Sequence, residues 1–208
     1  DPMAGGLVPF IPMEQFKNIN QCIKCDKVYL VKVIFGIKTD SDDVLGKIKN
    51  IEALWFLYKN SFSPDVIQKF ENKQKQIFKQ EYHYFSSKRL SYRKSHNNQD
   101  KQFYHNVTLY NSKVISTGQI LFDEWKEKAL IQLNRVDKNH NFRQKEIINQ
   151  WNRFGNNSEI FRWVNYLEVE LTVGSGFFVR QWVNDISKRL NIPLMCFEIT
   201  RTKILPLN

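Results

Sequence analysis

Runs of apolar residues at strand-like spacing appear at four places along the chain. Residues 27–37 are almost all β-branched, aliphatic or aromatic, with Lys32 as the only charge inside the run, which predicts a mostly buried strand. Residues 106–116, 163–173 and about 194–204 have similar patterns. The sequence therefore predicts at least four strands.

Apolar residues at helical spacing separate these strands. Ser63-Pro64-Asp65 is a typical helix start, with a serine cap, proline in the first turn and an acidic residue after it. The apolar stripe that follows predicts a helix through about residue 78; its members are Val66, Ile67, Phe70, Ile77 and Phe78. Helix-forming residues over 124–133 and 142–154 predict two more helices.

A fourth helix is predicted directly after the loop Gly174-Ser175-Gly176. Its apolar face consists of Phe178, Val179, Trp182, Val183, Ile186 and Leu190. Strands and helices alternate without βαβ regularity, which favours an α+β fold. We expect one domain over residues 1–208, with a mixed, largely antiparallel central sheet flanked by helices.

The charge of the chain narrows the class of partner. The 208 residues include 31 Lys and Arg against 21 Asp and Glu, a net charge of +10, and 14% of them are aromatic. A basic domain rich in aromatic residues favours a polyanionic partner, most often nucleic acid, over a simple compositional bias. No apolar run is long enough to span a membrane, and the start has no signal-peptide pattern. Together with sparse cysteines, this predicts a cytoplasmic protein, or an organellar one in a eukaryote, that does not enter membranes.

Two clusters could hold a metal ion, and neither pattern is complete. Cys22 and Cys25 have zinc-ligand spacing, but no second pair follows, which favours two reduced thiols. The turn Thr39-Asp40-Ser41-Asp42-Asp43 lacks the later glutamate of a calcium loop, which favours a role in capping the turn. We therefore expect no metal site.

Residues 88–101 form a basic, polar segment in which Tyr92 lies between Arg89 and Arg93. It could be a solvated loop. Alternatively, its cations contact phosphates while the ring stacks on a base, as in an RNA-gripping arm.

Asp1 opens the chain as a carboxylate directly before proline, in the stretch Asp1-Pro2-Met3-Ala4-Gly5-Gly6-Leu7-Val8-Pro9. A residue before proline is pushed towards extended backbone, which would place Asp1 on a loop rather than a helix face. An aspartate near a chain end is usually a solvated residue, and this position alone does not show a catalytic role.

Six segments, in order along the chain, resemble the motifs of TruB-type tRNA pseudouridine synthases. They are residues 1–9, the strand and turn from Asp26 through Gly46, Tyr84-Phe85-Ser86-Ser87-Lys88, Val107-Thr108-Leu109-Tyr110, Gly174 to Arg180, and Ile199-Thr200-Arg201-Thr202. The matches span nearly the whole chain.

The resemblance implies an isomerase that converts the T-loop uridine of tRNA, position 55, to pseudouridine without cofactor or metal. The family's catalytic aspartate falls on Asp1, as nucleophile or as the group that stabilises charge at the sugar. The arginine that pairs with this aspartate falls on Arg180, and the tyrosine that stacks on the flipped base falls on Tyr29. Ile199 falls on an apolar residue of the base pocket.

The resemblance also implies RNA contacts outside the pocket. Lys88, Arg89 and Arg93 would belong to an RNA-gripping arm over residues 84–103 that lies beside the T-arm. Arg201 and Lys203 would contact phosphates or complete the electrostatics of the pocket. A tRNA partner bound by a monomer is the expected assembly.

The chain departs from the family pattern in several places. Ser175 replaces a lysine, and Phe177-Phe178 replaces a threonine-tyrosine pair. Residues 116–160 are interpreted as a helical insertion, and neither the lead-in before the aspartate nor a PUA domain is expected within this sequence. Two alternatives stay open: a catalytically silent RNA-binding or tRNA-folding protein of the same fold, and a pseudouridine synthase with another RNA target.

Overall fold

A computed structural model describes residues 3–10, 12–51, 62–86, 103–137, 143–154 and 163–205 of the chain. Eight strands lie in this part of the chain: β1 (Ala4–Gly6), β2 (Asp26–Phe35), β3 (Ile37–Thr39), β4 (Ile48–Ile51), β5 (Gln76–Glu81), β6 (Tyr104–Leu121), β7 (Trp163–Val173) and β8 (Leu194–Leu205). The α-helices are α1 (Ile19–Lys24), α2 (Pro64–Phe70), α3 (Phe122–Arg135), α4 (Gln144–Phe154) and α5 (Val179–Leu190), and a 3-10 helix (Met13–Asn18) precedes α1.

Six of the strands form one sheet in the order β1-β8-β2-β7-β6-β5. The pairs β8–β2, β2–β7, β7–β6 and β6–β5 are antiparallel, and only β1 is parallel to its neighbour. Strands β3 and β4 form a separate hairpin. The predicted α+β class and largely antiparallel sheet are thus confirmed.

The sheet packs against helices on both faces. Successive residues of its strands point to opposite faces and so contribute to two separate hydrophobic cores. On one face, Val31 and Val33 of β2 pack with α2 and α5, including Trp182. On the other face, Ile34 of β2 packs with α3 and α4, including Trp125. The two-residue period of the strands therefore gives a three-layer arrangement of helices, sheet and helices.

The helix predicted to run through about residue 78 ends at Phe70, and the last residues of that segment, from Gln76, belong to strand β5. Ser63 does cap α2, since its side chain accepts a hydrogen bond from Val66 N. Directly after the helix, the Asn72 backbone exchanges two hydrogen bonds with Ser112 of β6, at 2.9 and 2.8 Å. The chain after α2 therefore pairs with the edge of β6, because the backbone N–H and C=O groups of that edge need hydrogen-bond partners. The spacing of apolar residues does not reveal this pairing.

The strand predicted at 106–116 extends from Tyr104 to Leu121. The first residues of the predicted insertion are therefore the end of β6, which pairs with β7 as far as Leu121 opposite Trp163. The rest of that segment that the structure describes forms α3 and α4, as the helical pattern predicts. Among the described residues, no helix combines the length and apolar character needed to cross a membrane.

Candidate active site

A cleft of about 550 Å³ opens at one end of the sheet. Tyr29 of β2 and Arg201 of β8 lie opposite each other in the strand register, beside a β-bulge between Val28 and Tyr29. Both line the cleft together with Lys27 and the loop 174–178; the remaining lining residues are Val8, Pro9, Ile19, Ile23 and Ile204. The cleft therefore combines an aromatic ring, two cations and an apolar rim.

The first strand reaches this cleft through a close backbone approach. Gly6 has a φ of 95°, and a Cβ atom there would lie 2.3 Å from the Arg201 carbonyl oxygen. Glycine is therefore required at this position. Leu7 N then donates to the same carbonyl at 2.9 Å, and Arg201 Nε donates to Leu7 O at 2.6 Å.

Lys27 and Arg201 give the cleft a positive character. Burial lowers the pKa of Lys27, and the nearby charge of Arg201 lowers it further, against the opposing effects of Cys25 and Asp26. Lys27 Nζ donates to the carbonyl of Ile23 at 2.7 Å and to that of Cys25. Two like charges at one cleft repel each other, and an anionic ligand would relieve this repulsion.

The loop 174–178 forms one wall of the cleft. Ser175 Oγ donates to the carbonyl of Ile23 at 2.8 Å and so joins the loop to α1. The two phenylalanines that follow face apolar surroundings: Phe177 is 9% exposed and meets Phe78 edge to face, and Phe178 packs against Tyr82. At these two departures from the family pattern, Phe177 is part of the core, Phe178 is partly buried, and both also line the cleft.

Helix α5 begins directly after this loop and carries Arg180 in its first turn. Arg180 Nη1 lies 2.8 Å from Asp43 Oδ2 and 3.3 Å from the carbonyl oxygen of Ser41. The two charged side chains are 12% and 1% exposed, so this is a buried ion pair. An arginine in such a place combines a fixed charge with a planar, directional donor set.

Asp43 is held by donors on both of its oxygens. Asp43 Oδ1 accepts from the Ser41 hydroxyl at 2.6 Å and from Leu45 N at 2.9 Å, while Oδ2 accepts from Arg180. Burial raises the pKa of the Asp43 carboxyl, and the Arg180 charge and the two hydrogen bonds oppose that rise. The carboxylate therefore depends on Arg180 for its charge in the protein interior.

The other two aspartates of the acidic turn are also held by side-chain contacts. Asp42 contacts Lys38 Nζ at 2.9 Å and His83 Nε2 at 3.2 Å. Asp40 contacts Arg143, which precedes α4, through both carboxylate oxygens and accepts from Lys47 N at 2.8 Å. The predicted capping role of the turn is confirmed, since Asp40 and Asp43 each accept a backbone N–H of the same turn.

We expect the Arg143–Asp40 contact to make stability depend on pH below about 5. Burial alone would raise the pKa of Asp40, but the hydrogen bonds from Arg143 and Lys47 N–H hold it below its usual value. A lowered folded-state pKa contributes stability above the unfolded-state pKa, and that stability is lost as pH falls through the folded-state pKa. Arg143→Met should therefore lower the free energy of unfolding by about 1 kcal/mol at pH 7. Below about pH 4 this difference from wild type should shrink, because Asp40 becomes protonated in both proteins.

Urea unfolding at pH 7, 5, 4 and 3 measures this prediction. Arg153→Met, which changes an exposed arginine in the last turn of α4, is the matched control. A difference between Arg143→Met and wild type that stays constant over this pH range would contradict the Asp40 linkage.

The structure brings only some of the predicted site residues together. Tyr29 and Arg201 line the cleft. Arg180 lies in the first turn of α5, directly after the loop 174–178 that forms a wall of the cleft. Ile199 is 4% exposed within the core, and Lys203 is exposed on β8. Asp1, Lys88, Arg89 and Arg93 lie outside the described residues, so the predicted pairing of Asp1 with Arg180 and the RNA-gripping arm stay predictions. The Cys22 side chain is likewise outside the described part, while Cys25 is half-buried, so the prediction of two reduced thiols stays a prediction.

Sequence reasoning missed two residues of the site. Sequence reasoning places Asp43 in the capping turn and in the motif around it, but not in the site, although Val44 and Leu45 directly after it already indicate that this end of the turn is buried. Sequence reasoning places Lys27 only in a motif strand, and its position near Arg201 follows from the pairing of β2 with β8.

Comparison with solved structures identifies the same fold in a crystal structure of a Cbf5–Nop10–Gar1 complex, with a TM-score of 0.51 and 11% sequence identity. The similarity covers 98% of this chain and 38% of that chain. No family model matches the sequence, and no curated protein matches it. By this structural comparison, the chain shares the fold of a protein in that complex.

Proposed function

We propose that this chain is the catalytic domain of an RNA pseudouridine synthase that isomerises the T-loop uridine of tRNA. The observation that carries the proposal is the cleft itself. Tyr29, Lys27 and Arg201 converge there on the glycine loop that leads into Arg180. The collinear motifs and the shared fold support the same conclusion.

The reaction needs only groups that a protein can supply. The bond between N1 of uracil and C1′ of ribose breaks, the base turns, and C5 bonds to C1′ while C5 loses a proton and N1 gains one. The isomerisation involves no net oxidation or reduction, so a carboxylate and a pocket that fits the base can catalyse it. Asp1 is proposed as that carboxylate.

The direction of β1 supports this role for Asp1. Ala4 of β1 pairs with Ile199 in parallel, and Cys196, earlier on β8, is bridged to Asp43. The N-terminal end of β1 therefore faces the part of β8 at which Asp43 and Arg180 meet. Arg180 would then hold the Asp1 carboxylate ionised and oriented, in addition to its contact with Asp43.

Tyr29 is proposed to receive the target base. A uridine inside a folded stem-loop cannot be reached in the stack, so it must be flipped out, at a cost of a few kcal/mol. Stacking on an aromatic ring recovers about 1–3 kcal/mol per base. Lys27 and Arg201 beside the ring would contact the flanking phosphates.

The direct test is pseudouridine formation in an unmodified tRNA transcript, mapped to the nucleotide. Product at the T-loop uridine is the expected result. Product only in another RNA would replace the proposed target, and tight tRNA binding without product would favour the silent RNA-binding alternative.

Neutralising Lys88, Arg89 and Arg93 together is expected to weaken tRNA binding and to flatten its salt dependence. Each phosphate contact that is lost lowers the slope of log affinity against log salt by about 0.7–0.9, because fewer counterions are released. Binding titrations between 50 and 200 mM salt, about the range in which this effect is large, measure the slope.

The control for this test replaces three lysines of the helical layer, Lys126, Lys128 and Lys145, with glutamine. This variant removes the same amount of charge from α3 and α4 instead of the segment at 88–93. An equal loss of slope in both variants would show that general charge, rather than the proposed arm, determines RNA affinity.

A further inference from the structure

Two side chains from neighbouring strands hold the backbone of the loop 174–178. Gln80 of β5 is fully buried, and its amide binds both polar groups of one residue. Its Nε2 donates to Phe178 O at 3.0 Å, and Phe178 N donates to its Oε1 at 2.8 Å. The side-chain amide therefore pairs with Phe178 as the backbone of an adjacent strand would.

His105 of β6 holds the same loop at Gly176. Its Nε2 lies 2.8 Å from Gly176 O, and since a carbonyl oxygen only accepts, this nitrogen is the donor. The ring stacks on Tyr82 with centroids 4.3 Å apart and planes 9° apart, which fixes its orientation. Gly176 has a φ of 83°, a conformation that suits glycine and turns its carbonyl to this ring.

Gln80 and His105 face each other directly in the register of β5 and β6. We call this pair the loop clamp. Neither residue is among the side chains that line the cleft in the described structure. They act on the opposite side of the wall, and Gly174 N adds a third link to Thr108 O of β6 at 2.9 Å.

The loop clamp also determines where α5 begins. Phe178 is the cap residue of this helix, and its own side chain makes no capping hydrogen bond. Its carbonyl accepts from Trp182 N at 3.0 Å, while its N–H and the same carbonyl are both bound by Gln80. Displacing Phe178 would therefore move the first turn, which carries Arg180.

We propose that Gln80 and His105 are positioning residues for the reaction: they set the cleft wall, and the start of α5 behind it, at the geometry in which the flipped nucleotide is bound. This inference rests on the proposed function. The same two strands lead into and out of the segment that contains Lys88, Arg89 and Arg93, so one hairpin connects the proposed RNA contacts with the wall of the cleft.

The test is Gln80→Met, which keeps the length of the side chain and removes both hydrogen bonds. We expect kcat for pseudouridine formation to fall by roughly ten- to a hundredfold, with KM for tRNA unchanged, because a small displacement at the site affects turnover more than binding. Hydrogen–deuterium exchange of the amides at 174–180 should accelerate in the same variant. Gln76→Met, at an exposed position of the same strand, is the matched control and should change neither quantity.

His105→Phe is the second variant, and it tests the positioning role of the loop clamp if Gln80→Met does not fold. Phenylalanine keeps the ring against Tyr82 and removes only the donor to Gly176. Faster exchange at 174–178 with a lower kcat is expected. Unchanged exchange in the folded variants, or unchanged kcat per folded molecule, would overturn the proposal.

The two readouts separate this inference from the proposed function. A wild-type protein that forms no pseudouridine would refute the proposed function. Hydrogen–deuterium exchange at 174–180 in the two variants would then test the loop clamp independently of activity. Exchange as slow as in wild type would refute the loop clamp.

Discussion

Replacing Asp1 with asparagine is expected to reduce pseudouridine formation by roughly a thousandfold or more, the scale seen when a reacting group is removed. Asparagine has nearly the shape of aspartate but carries no charge, so it can neither attack the ribose nor stabilise a positive charge there. The affinity for tRNA should be unchanged, because phosphate contacts by Lys and Arg supply most of it. Single-turnover kinetics with mapped product, together with a binding titration, measure the two effects separately.

Asp65→Asn is the matched control for Asp1→Asn. Asp65 is an exposed acidic residue in the first turn of α2, so its loss removes the same charge without touching the cleft. An Asp1→Asn protein that turns over at the wild-type rate would remove Asp1 from the mechanism, and the proposed function would then need another carboxylate.

Replacing Arg180 with methionine is expected to reduce both stability and activity. Asp43 would keep its place with its side chain 1% exposed, but its charge would lose the guanidinium nitrogen that lies 2.8 Å from it. Breaking a buried ion pair by removing one partner costs about 3–5 kcal/mol. Urea unfolding measures this cost, and Arg189→Met in the exposed last turn of the same helix should cost less than about 0.5 kcal/mol.

A second replacement separates the structural role of Arg180 from its proposed catalytic role. In Asp43→Asn combined with Arg180→Met, no buried charge is left alone, so much of the lost stability should return. The amide can still accept the hydrogen bond from Leu45 N. Activity should stay low if Arg180 also orients the Asp1 carboxylate. Recovery of activity together with stability would show that Arg180 serves only to neutralise Asp43.

The strands and most helices follow from local pattern, because alternation and helical spacing are properties of neighbouring residues. The helix α5 and the strand β7 occupy the predicted residues, and the strand β8 ends within one residue of its prediction. The segment after Phe70 shows the limit of this reasoning. Ile77 and Phe78 fit a helical stripe, yet they lie in β5, where Ile77 is 65% exposed and Phe78 packs on Phe177.

The residues of the candidate site also fall into those that the sequence identifies and those that only the tertiary structure reveals. Tyr29 and Arg180 could be named from motifs, since each lies at a recognisable place in its own segment. The partner of Arg180 in the described structure could not. Asp43 is separated from it by most of the chain, and they meet because Cys196 of β8 is bridged to Asp43 while α5 packs on the same strand.

The loop clamp is a further case in which tertiary contact decides the role of a residue. Gln80 lies in a polar run of sequence, where a solvated glutamine is the ordinary expectation, and it is fully buried against Phe178. Nothing local distinguishes it from Gln76 on the same strand. The two side chains are four residues apart and share one face of β5, so the difference arises from their position along the strand: only Gln80 lies against the glycine loop, where it binds Phe178.

The sequence by itself determined the kinds of element, the positive charge of the protein and the order of the motifs, because these depend on composition and on residues close together in the chain. Only the tertiary structure decided which strand pairs with which, that Lys27 and Arg201 share one cleft, and that Asp43 is neutralised by Arg180. Those facts depend on contacts between distant segments. Their free energies come from burial and from pairing of buried polar groups, which no local pattern records.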